Sequence, residues 1–383
     1  MIVRITRAKV GHRQAPQLKS PASKEVGLFS FCGSRTPHAK ICKSLIRPFM
    51  LALTFPILRT LSDGAFHSGE TLAAQFGVSR ASIWNALQGL DQLGVRLFKI
   101  RGRGYQLADP IEWLDRNMIA THFGSSAQPI DLQILDIAES TNSLLMQRAA
   151  QGGHAQCIVA EMQTQGRGRR GRAWYGALGG SLTFSLLWRF NLGASQLSGL
   201  SLAVGVALVR ALRELGYSGI QLKWPNDLTH GYRKLGGVLI ELQGDAMGPA
   251  SAVIGVGLNL RLPDTVKNRI DQAVVDLHTI MPEAVSRNVL LGSALRHLAQ
   301  MLELFEAQGF EALRAEWEQA HAYHAKPVIL RMPDGAETHG VVRGVAPDGA
   351  LILDTSSGER RFGSGEMSLR PAQVSSSNKL PVA

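Results

Sequence analysis

A chain of 383 residues with 45% hydrophobic and 19% charged side chains is too long for one ordinary domain and apolar enough to bury a large core, which excludes a wholly disordered polypeptide. The formal charge of +11 resembles a nucleic-acid signature until it is located: ten of the 41 Lys and Arg and one of the 30 acidic residues precede Met50, so 31 and 29 remain and the main body is nearly neutral. Three cysteines, Cys32, Cys42 and Cys157, at no zinc spacing exclude a disulfide framework, and no apolar run reaches the about 18 residues that span a bilayer, so a cytoplasmic protein without a membrane partner is expected.

Residues 1–49 hold no sustained apolar period and no secretory h-region, and Pro, Ser and Gly recur throughout. They read as a basic, disordered extension. Because Met50 directly precedes the first well-patterned segment, the alternative is a mis-assigned upstream start. A basic arm lying on a DNA backbone is the remaining use for such a tail.

Residues 50–110 pattern as helix, turn, helix and a small hairpin. Leu53, Ile57, Leu58 and Leu61 make an apolar start, and Ser68 can cap a second helix with Leu72 and Phe76 on one face. After Gly77, Ser79 can cap SRASIWNALQGL, whose Ile83, Leu87 and Leu90 form a stripe, with Arg80, Ser82, Asn85 and Gln88 off it. The hairpin VRLFKIRGRGYQL follows, with Arg101 and Arg103 at a glycine tip suited to phosphate or a minor groove. The whole is a winged helix-turn-helix. DNA contacts are expected from Ser79, Arg80, Ser82, Asn85, Arg101 and Arg103; the alternative is a tri-helical protein-docking unit.

Residues 111–325 alternate strand-like runs (CIVAEMQ, SLTFSLLWRF, IQLKWP, KLGGVLIELQG, SAVIGVGLNL) with helices over Gly199 to Leu215 and Val289 to Gln308. The links are short, which predicts a mixed or antiparallel sheet with packed helices, an α+β fold, rather than a doubly wound one. From Lys326 short runs split by MPDG and APDG turns predict a small barrel over 326–375, with a frayed tail at 376–383. Nothing in that barrel looks catalytic.

The densest chemistry is TQGRGRRGRAWYG, Thr164 to Gly176. Its Gly166, Gly168 and Gly171 satisfy G-x-G-x-x-G, but a strand follows instead of a helix and no acid occurs between Glu161 and Glu214, so the dinucleotide reading fails. A nucleic-acid patch and a solvated charged turn remain. Position between two apolar strands favours a third reading, a flexible loop whose repelling arginines order when a small anionic ligand binds.

Four further motifs sharpen this. ESTN, Glu139 to Asn142, offers hydroxyls and an amide near a helix start; KWPND, Lys223 to Asp227, sets a lysine where Pro225 ends a strand. KLGGVLIE brings Lys234 beside Gly236 and Gly237, and GVGLN has Gly255 and Gly257 where a ligand can approach backbone, with Asn259 as polar reader. Singly, each motif is more often structural than functional.

In combination, ESTN, QTQGRGRRGRAW, KWPND, KLGGVLIE and GVGLN resemble the biotin-protein ligases, and the winged helix in front resembles their bifunctional, repressor-bearing kind, over about residues 50–370. The resemblance implies a class II synthetase-like central domain, an SH3-like C-terminal barrel, and the substrates ATP and biotin with Mg2+. It implies biotinyl-5'-adenylate formation, then transfer to a lysine of the biotin carboxyl carrier protein. It also implies an adenylate-favoured homodimer on the operator DNA of biotin genes.

By the same resemblance, Ser140, Thr141, Asn142 and Gln163 bind the ureido ring of biotin, and Gly166, Arg167, Gly168 and Arg169 close over its carboxylate. Gly255 and Gly257 line the biotin site. Lys223 sits on the reacting oxygen; Asp227 and Lys234 organise the acceptor lysine and phosphates. Arg169, Arg170, Arg172, Trp174, Asn226, Lys234 and Asn259 meet ATP, and no metal ligand is assigned. Arg261 to Leu277 forms an adenylate loop with Val274, Val275 and Leu277 as apolar lid, and subunits pair at Gly236 and Gly237. The rival functions are a biotin-sensing regulator without ligase activity and a lipoate-type acyl ligase.

Overall fold

The computed structural model describes residues 2–3, 48–124, 129–283, 285–332, 334–363 and 368–371. Of the basic extension these include Ile2–Val3, strand β1, which pairs parallel with Glu241–Leu242, and Pro48 and Phe49, which open the first helix. The expectation of disorder for the rest of 1–49, and the frayed tail, lie outside the described residues.

The N-terminal module is α1 (Pro48–Leu61), α2 (Gly69–Phe76), α3 (Arg80–Ala86) and the hairpin β2 (Leu97–Ile100) and β3 (Gly104–Leu107). Both expected caps form: Ser68 Oγ accepts from Thr71 N at 2.9 Å, and Ser79 Oγ from Ser82 N at 3.1 Å. Gly77, at φ +64°, makes the turn. Helix α3 stops short of Leu90, because Gly89 takes φ +73° and a 3-10 turn over Leu90–Leu93 follows. Leu58, Leu61, Leu72, Ile83, Leu87, Leu90 and Leu107 close a common core.

The central unit runs α4 (Arg116–Phe123), β4 (Asp131–Ala138), α5 (Thr141–Ala149), β5 (Gln156–Gln163), β6 (Ser181–Phe190), α6 (Leu200–Glu214), β7 (Gln221–Lys223), β8 (Asp227–His230), β9 (Arg233–Gly244), β10 (Ala250–Asn259), α7 (Asp264–Lys267), α8 (Leu277–Ile280), α9 (Arg287–Gln308) and α10 (Glu311–Ala320). The strand order is β4-β5-β6-β10-β9-β8-β7 with β1 added beside β9; the β4–β5 and β1–β9 pairings are parallel and the others antiparallel, so the sheet is mixed. IQLKWP is not one strand: β7 ends at Lys223, the Trp224–Pro225 peptide is cis, and Asp227 opens β8.

Alternation along the strands decides what each face carries. Leu182, Phe184, Leu186, Trp188, Ile254, Val256, Leu258, Val238 and Ile240 join one core with α6 and α9. The intervening positions are Thr183, Ser185, Gly255, Gly257, Asn259, Gly237 and Glu241, small or polar. One face therefore folds the domain, and part of the other is left as the floor of a site. Farther along, that second face is closed by α5, where Leu145 packs with Ile158, Leu187 and Val253.

Gly236 and Gly237, where subunit pairing is expected, do not lie on an open edge. They pair with Leu228 and Asp227 of β8 on one side and with Leu258 and Gly257 of β10 on the other. A Cβ on Gly236 would lie 2.6 Å from Gly257 O, so close strand packing accounts for that glycine.

The C-terminal module is a five-stranded antiparallel sheet in the order β14 (Gly358–Phe362), β13 (Leu351–Thr355), β12 (Glu337–Val345), β11 (Pro327–Arg331), β15 (Ser368–Pro371). Its Val328, Leu330, Val342, Leu353 and Leu369 continue the central core, Trp224 Nε1 donates to Gly349 O at 3.1 Å, and Glu318 accepts from Val345 N at 3.0 Å.

The winged module is docked too. Arg59 grips Asp136 with two hydrogen bonds and stacks on Trp113, whose Nε1 donates to Ser62 Oγ at 2.9 Å. Leu178 N donates to Leu93 O at 3.0 Å.

Candidate active site

Every expected small-molecule site residue except Gly166 lines one cavity of about 580 Å³, a size suited to a ligand of nucleotide dimensions. Gly166 lies behind it: its carbonyl accepts from Trp174 N at 2.9 Å, and a Cβ there would meet Trp174 O at 2.9 Å. The arginine segment is not a formless loop. Arg167 pairs with Ala173, Gly168 N donates to Arg172 O at 2.8 Å, and Arg170 takes φ +61° at the tip, giving a short hairpin over the floor.

One end of the cavity is a hydrogen-bond chain that begins at the start of α5, which Ser140 caps. Thr141 Oγ1 lies 2.6 Å from Ser185 Oγ, which donates to Asn142 Oδ1 at 2.5 Å, and Asn142 Nδ2 donates to Glu241 Oε2 at 3.0 Å. Thr141 N donates to Gln163 Oε1 at 2.8 Å, which turns the donor side of the Gln163 amide elsewhere. Arg167 reaches Ser143 Oγ at 2.9 Å and Glu241 Oε2 at 3.4 Å.

The opposite end is cationic. Lys223 closes β7, and burial pushes its ammonium below the ordinary lysine range; Asp227 opposes that shift, while Arg370, Lys234 and Arg172 add to it. Lys234 Nζ pairs with Asp227 Oδ1 at 2.7 Å. Asn226 donates to Val238 O at 2.7 Å and accepts from Arg169 at 3.3 Å, tying the hairpin to the turn after β7.

Gly255 and Gly257 line the cavity, and side chains press on both: a Cβ would lie 2.2 Å from Asn142 Oδ1 and 2.5 Å from the Trp174 ring. Val275 and Leu277 are 2% and 3% exposed within the core and serve as anchors rather than a lid. Only Val274 of the three faces the cavity, beside Arg269, Ile270, Asp271 and Gln272. Asn259 spends its amide hydrogens on Lys234 O and Val275 O, at 3.3 and 3.2 Å, splinting the loop to the sheet.

Sequence reading missed Tyr175, which carries Arg269 over its ring at 4.4 Å, and Glu241. It also missed Arg370 and Leu369, through which the C-terminal module reaches the cavity it was thought to avoid. No spacing signal links Arg370 to residues some 150 positions earlier. Trp174 Nε1 is buried among the lining atoms without an acceptor among the described residues. Among the described residues no group of three or more His, Cys, Asp or Glu could hold a metal ion.

In the winged module, Arg80, Asn85 and Arg101 are exposed and Ser82 half-buried. Ser79 is engaged as the cap of α3, with its Oγ also 2.9 Å from Ser82 Oγ, and Arg103 lies over the Phe66 ring at 4.3 Å. No helix among the described residues is long and apolar enough to cross a membrane.

The chain matches the biotin/lipoate A/B protein ligase family over residues 136–259, an HTH domain over 54–106 and the biotin protein ligase C-terminal domain over 325–370. It is 36% identical over 317 residues to the bifunctional ligase/repressor BirA of Salmonella typhimurium, covering 83% of this chain and 97% of that one. It is 36% identical to the protein of the same name from Escherichia coli K12, with the same coverage of both chains. The biotin protein ligase from Aquifex aeolicus in complex with biotin and ATP superposes with a TM-score of 0.55 at 28% identity, covering 63% of this chain and 99% of that one.

Proposed function

Because the chain belongs to the family of bifunctional biotin-protein ligase/repressors, we propose that this cavity condenses biotin with ATP and that the winged module represses genes of biotin synthesis. The observation that carries the reading is convergence: four hairpin arginines, Lys223 and the Lys234–Asp227 pair surround one cavity whose far end is the Thr141–Ser185–Asn142 polar chain.

Mg2+ would accompany ATP and would help neutralise the leaving pyrophosphate; Asp227, committed to Lys234, is not assigned to it. A carboxylate oxygen of biotin attacks the α-phosphorus, the bond to the β-phosphate oxygen breaks, and pyrophosphate leaves. Arg167, Arg169, Arg170 and Arg172 neutralise the accumulating negative charge, and Lys223 holds the carboxylate oxygen. Ser140, Thr141, Asn142 and the Gln163 amide grip the ureido group, with Trp174 as a wall whose Nε1 seeks an acceptor. In the second step the neutral amine of an acceptor lysine attacks the acyl carbon. The acyl–phosphate bond breaks, AMP leaves with the electron pair, and the amine loses a proton. Asp227, fixed by Lys234, orients that amine.

The acceptor we propose is the lysine of a biotin carboxyl carrier protein, and the repressing species a homodimer favoured by adenylate. The test is labelling of a carrier domain by the purified chain with biotin, ATP and Mg2+, alongside a Lys223→Ala control and competing lipoate or octanoate. Absence of pyrophosphate release despite tight biotin binding would leave a sensor without ligase activity. Preference for lipoate would replace the substrate.

A further inference from the structure

The solvent side of α3 carries one residue that does not belong on a solvated face. Ile83, Ala86 and Leu87 turn inward and are buried, while Trp84 is 52% exposed. It stands four residues after Arg80, so the two share one face of α3. Just past the end of α3, Gln88 Nε2 donates back to Trp84 O at 2.9 Å, which ties the Gln88 side chain to the helix terminus.

Charge complementarity names the occupant. From Ser79 to Leu107 the cations Arg80, Arg96, Lys99, Arg101 and Arg103 face a single acid, Asp91. Arg96 is engaged by Asp109 and Arg103 lies over Phe66, while Arg80, Lys99 and Arg101 are exposed. A capped second helix with a basic flank and a wing fits the major groove of duplex DNA.

We propose that Trp84 is a base-contacting residue, its indole packing on thymine methyl groups in the major groove while Arg80 and Arg101 engage phosphate. The proposal rests on the repressor reading above and deepens it. Phosphate contacts set affinity for any sequence, whereas a methyl contact distinguishes thymine. Trp84 thus governs sequence preference rather than overall attraction.

The test selects duplexes from a random pool with the full chain, biotin and ATP, then compares wild type, Trp84→Ala and Trp84→Phe on the selected duplex, an unselected mixed-sequence duplex, and the selected duplex with uracil replacing thymine. Trp84→Ala is expected to lose about tenfold or more on the selected duplex, with mixed-sequence binding and its salt slope unchanged. Trp84→Phe should recover part, and uracil should weaken wild type but not Trp84→Ala. Equal losses on selected and mixed duplexes, or indifference of wild type to uracil, would overturn the proposal. Should wild type enrich no sequence while still labelling the carrier domain, the repressor reading falls and this inference with it.

Discussion

Asp227 holds the ammonium of Lys234 at 2.7 Å and, among the described residues, is also the neighbour that raises the pKa of the buried Lys223. A single carboxylate therefore balances two cations at the floor of the cavity. In Asp227→Asn, Lys223 loses that opposing charge and its pKa falls further. Its protonated form is lost as pH rises through that pKa, so the alkaline limb of the rate profile should move to lower pH. The rate at neutral pH should drop by roughly ten- to a hundredfold. An unmoved limb would mean that Lys223 does not carry the titration.

Lys223 should cost stability in order to act. Its folded-state pKa is depressed by burial, so between that value and the ordinary lysine value the unfolded chain binds more protons, and stability rises with pH across that window. Lys223→Met removes the penalty while keeping a similar shape. We expect adenylate formation to fall by about a hundredfold or more. The same variant should be more stable at neutral pH by about 0.5–2 kcal/mol. Paired thermal melts and pyrophosphate release test both signs together.

Gly255→Ala offers a local test of the polar end. The added methyl would lie 2.2 Å from Asn142 Oδ1, forcing that amide off Ser185 and Glu241. Since the other face of β10 is untouched, the fold should survive. The KM for biotin should rise by about tenfold or more, that being the scale for leaving buried polar partners unpaired, with a smaller effect on kcat. An effect on ATP alone would place biotin elsewhere.

Sequence made the chemistry legible because short motifs carry it locally. KWPND, the arginine-glycine run and ESTN each sit within a few residues, and their convergence follows from strand alternation that was also readable. Caps at Ser68 and Ser79 were legible for the same reason, since a hydroxyl and the amide that donates to it lie three residues apart. What escaped was held by long-range packing. Strand β4 was missed because only Leu132 and Ala138 of its eight residues are buried, so it lacks a clean apolar alternation. That β8 and β10 flank Gly236 and Gly237 was not readable either, because sequence does not tell which neighbour a strand has.

Arg370 is the clearest instance, reaching the cavity from β15 across the whole chain. Its guanidinium adds to the field that lowers the Lys223 pKa. Arg370→Ala should therefore let the Lys223 pKa rise, moving the alkaline limb to higher pH, opposite to Asp227→Asn. It should also weaken the anionic substrate, raising the KM for ATP by about tenfold, the scale of one charged contact. A truncation before Lys326 is a poorer test, because it also removes Gly349 from Trp224 and opens the core.

His321 supplies a pH dependence of stability separate from catalysis. It is 5% exposed, stacks on Trp317 at 4.4 Å, and neither ring nitrogen has a hydrogen-bond partner among the described residues. Burial pushes its pKa down to about 3, with His324 adding to the shift. The imidazole thus stays neutral in the folded chain. Unfolded, it takes a proton as pH falls below about 6.5. The unfolded state then binds more protons than the folded one, and stability is lost progressively from near pH 6.5 towards pH 3. His321→Phe keeps a flat ring against Trp317 and removes the titration. Its melting temperature should fall less steeply than wild type between pH 6.5 and 4, with the two closest at pH 8. Parallel slopes for the two proteins would show that acid sensitivity arises elsewhere, with the buried Glu161–Arg287 pair, 2.9 Å apart, as the next group to substitute.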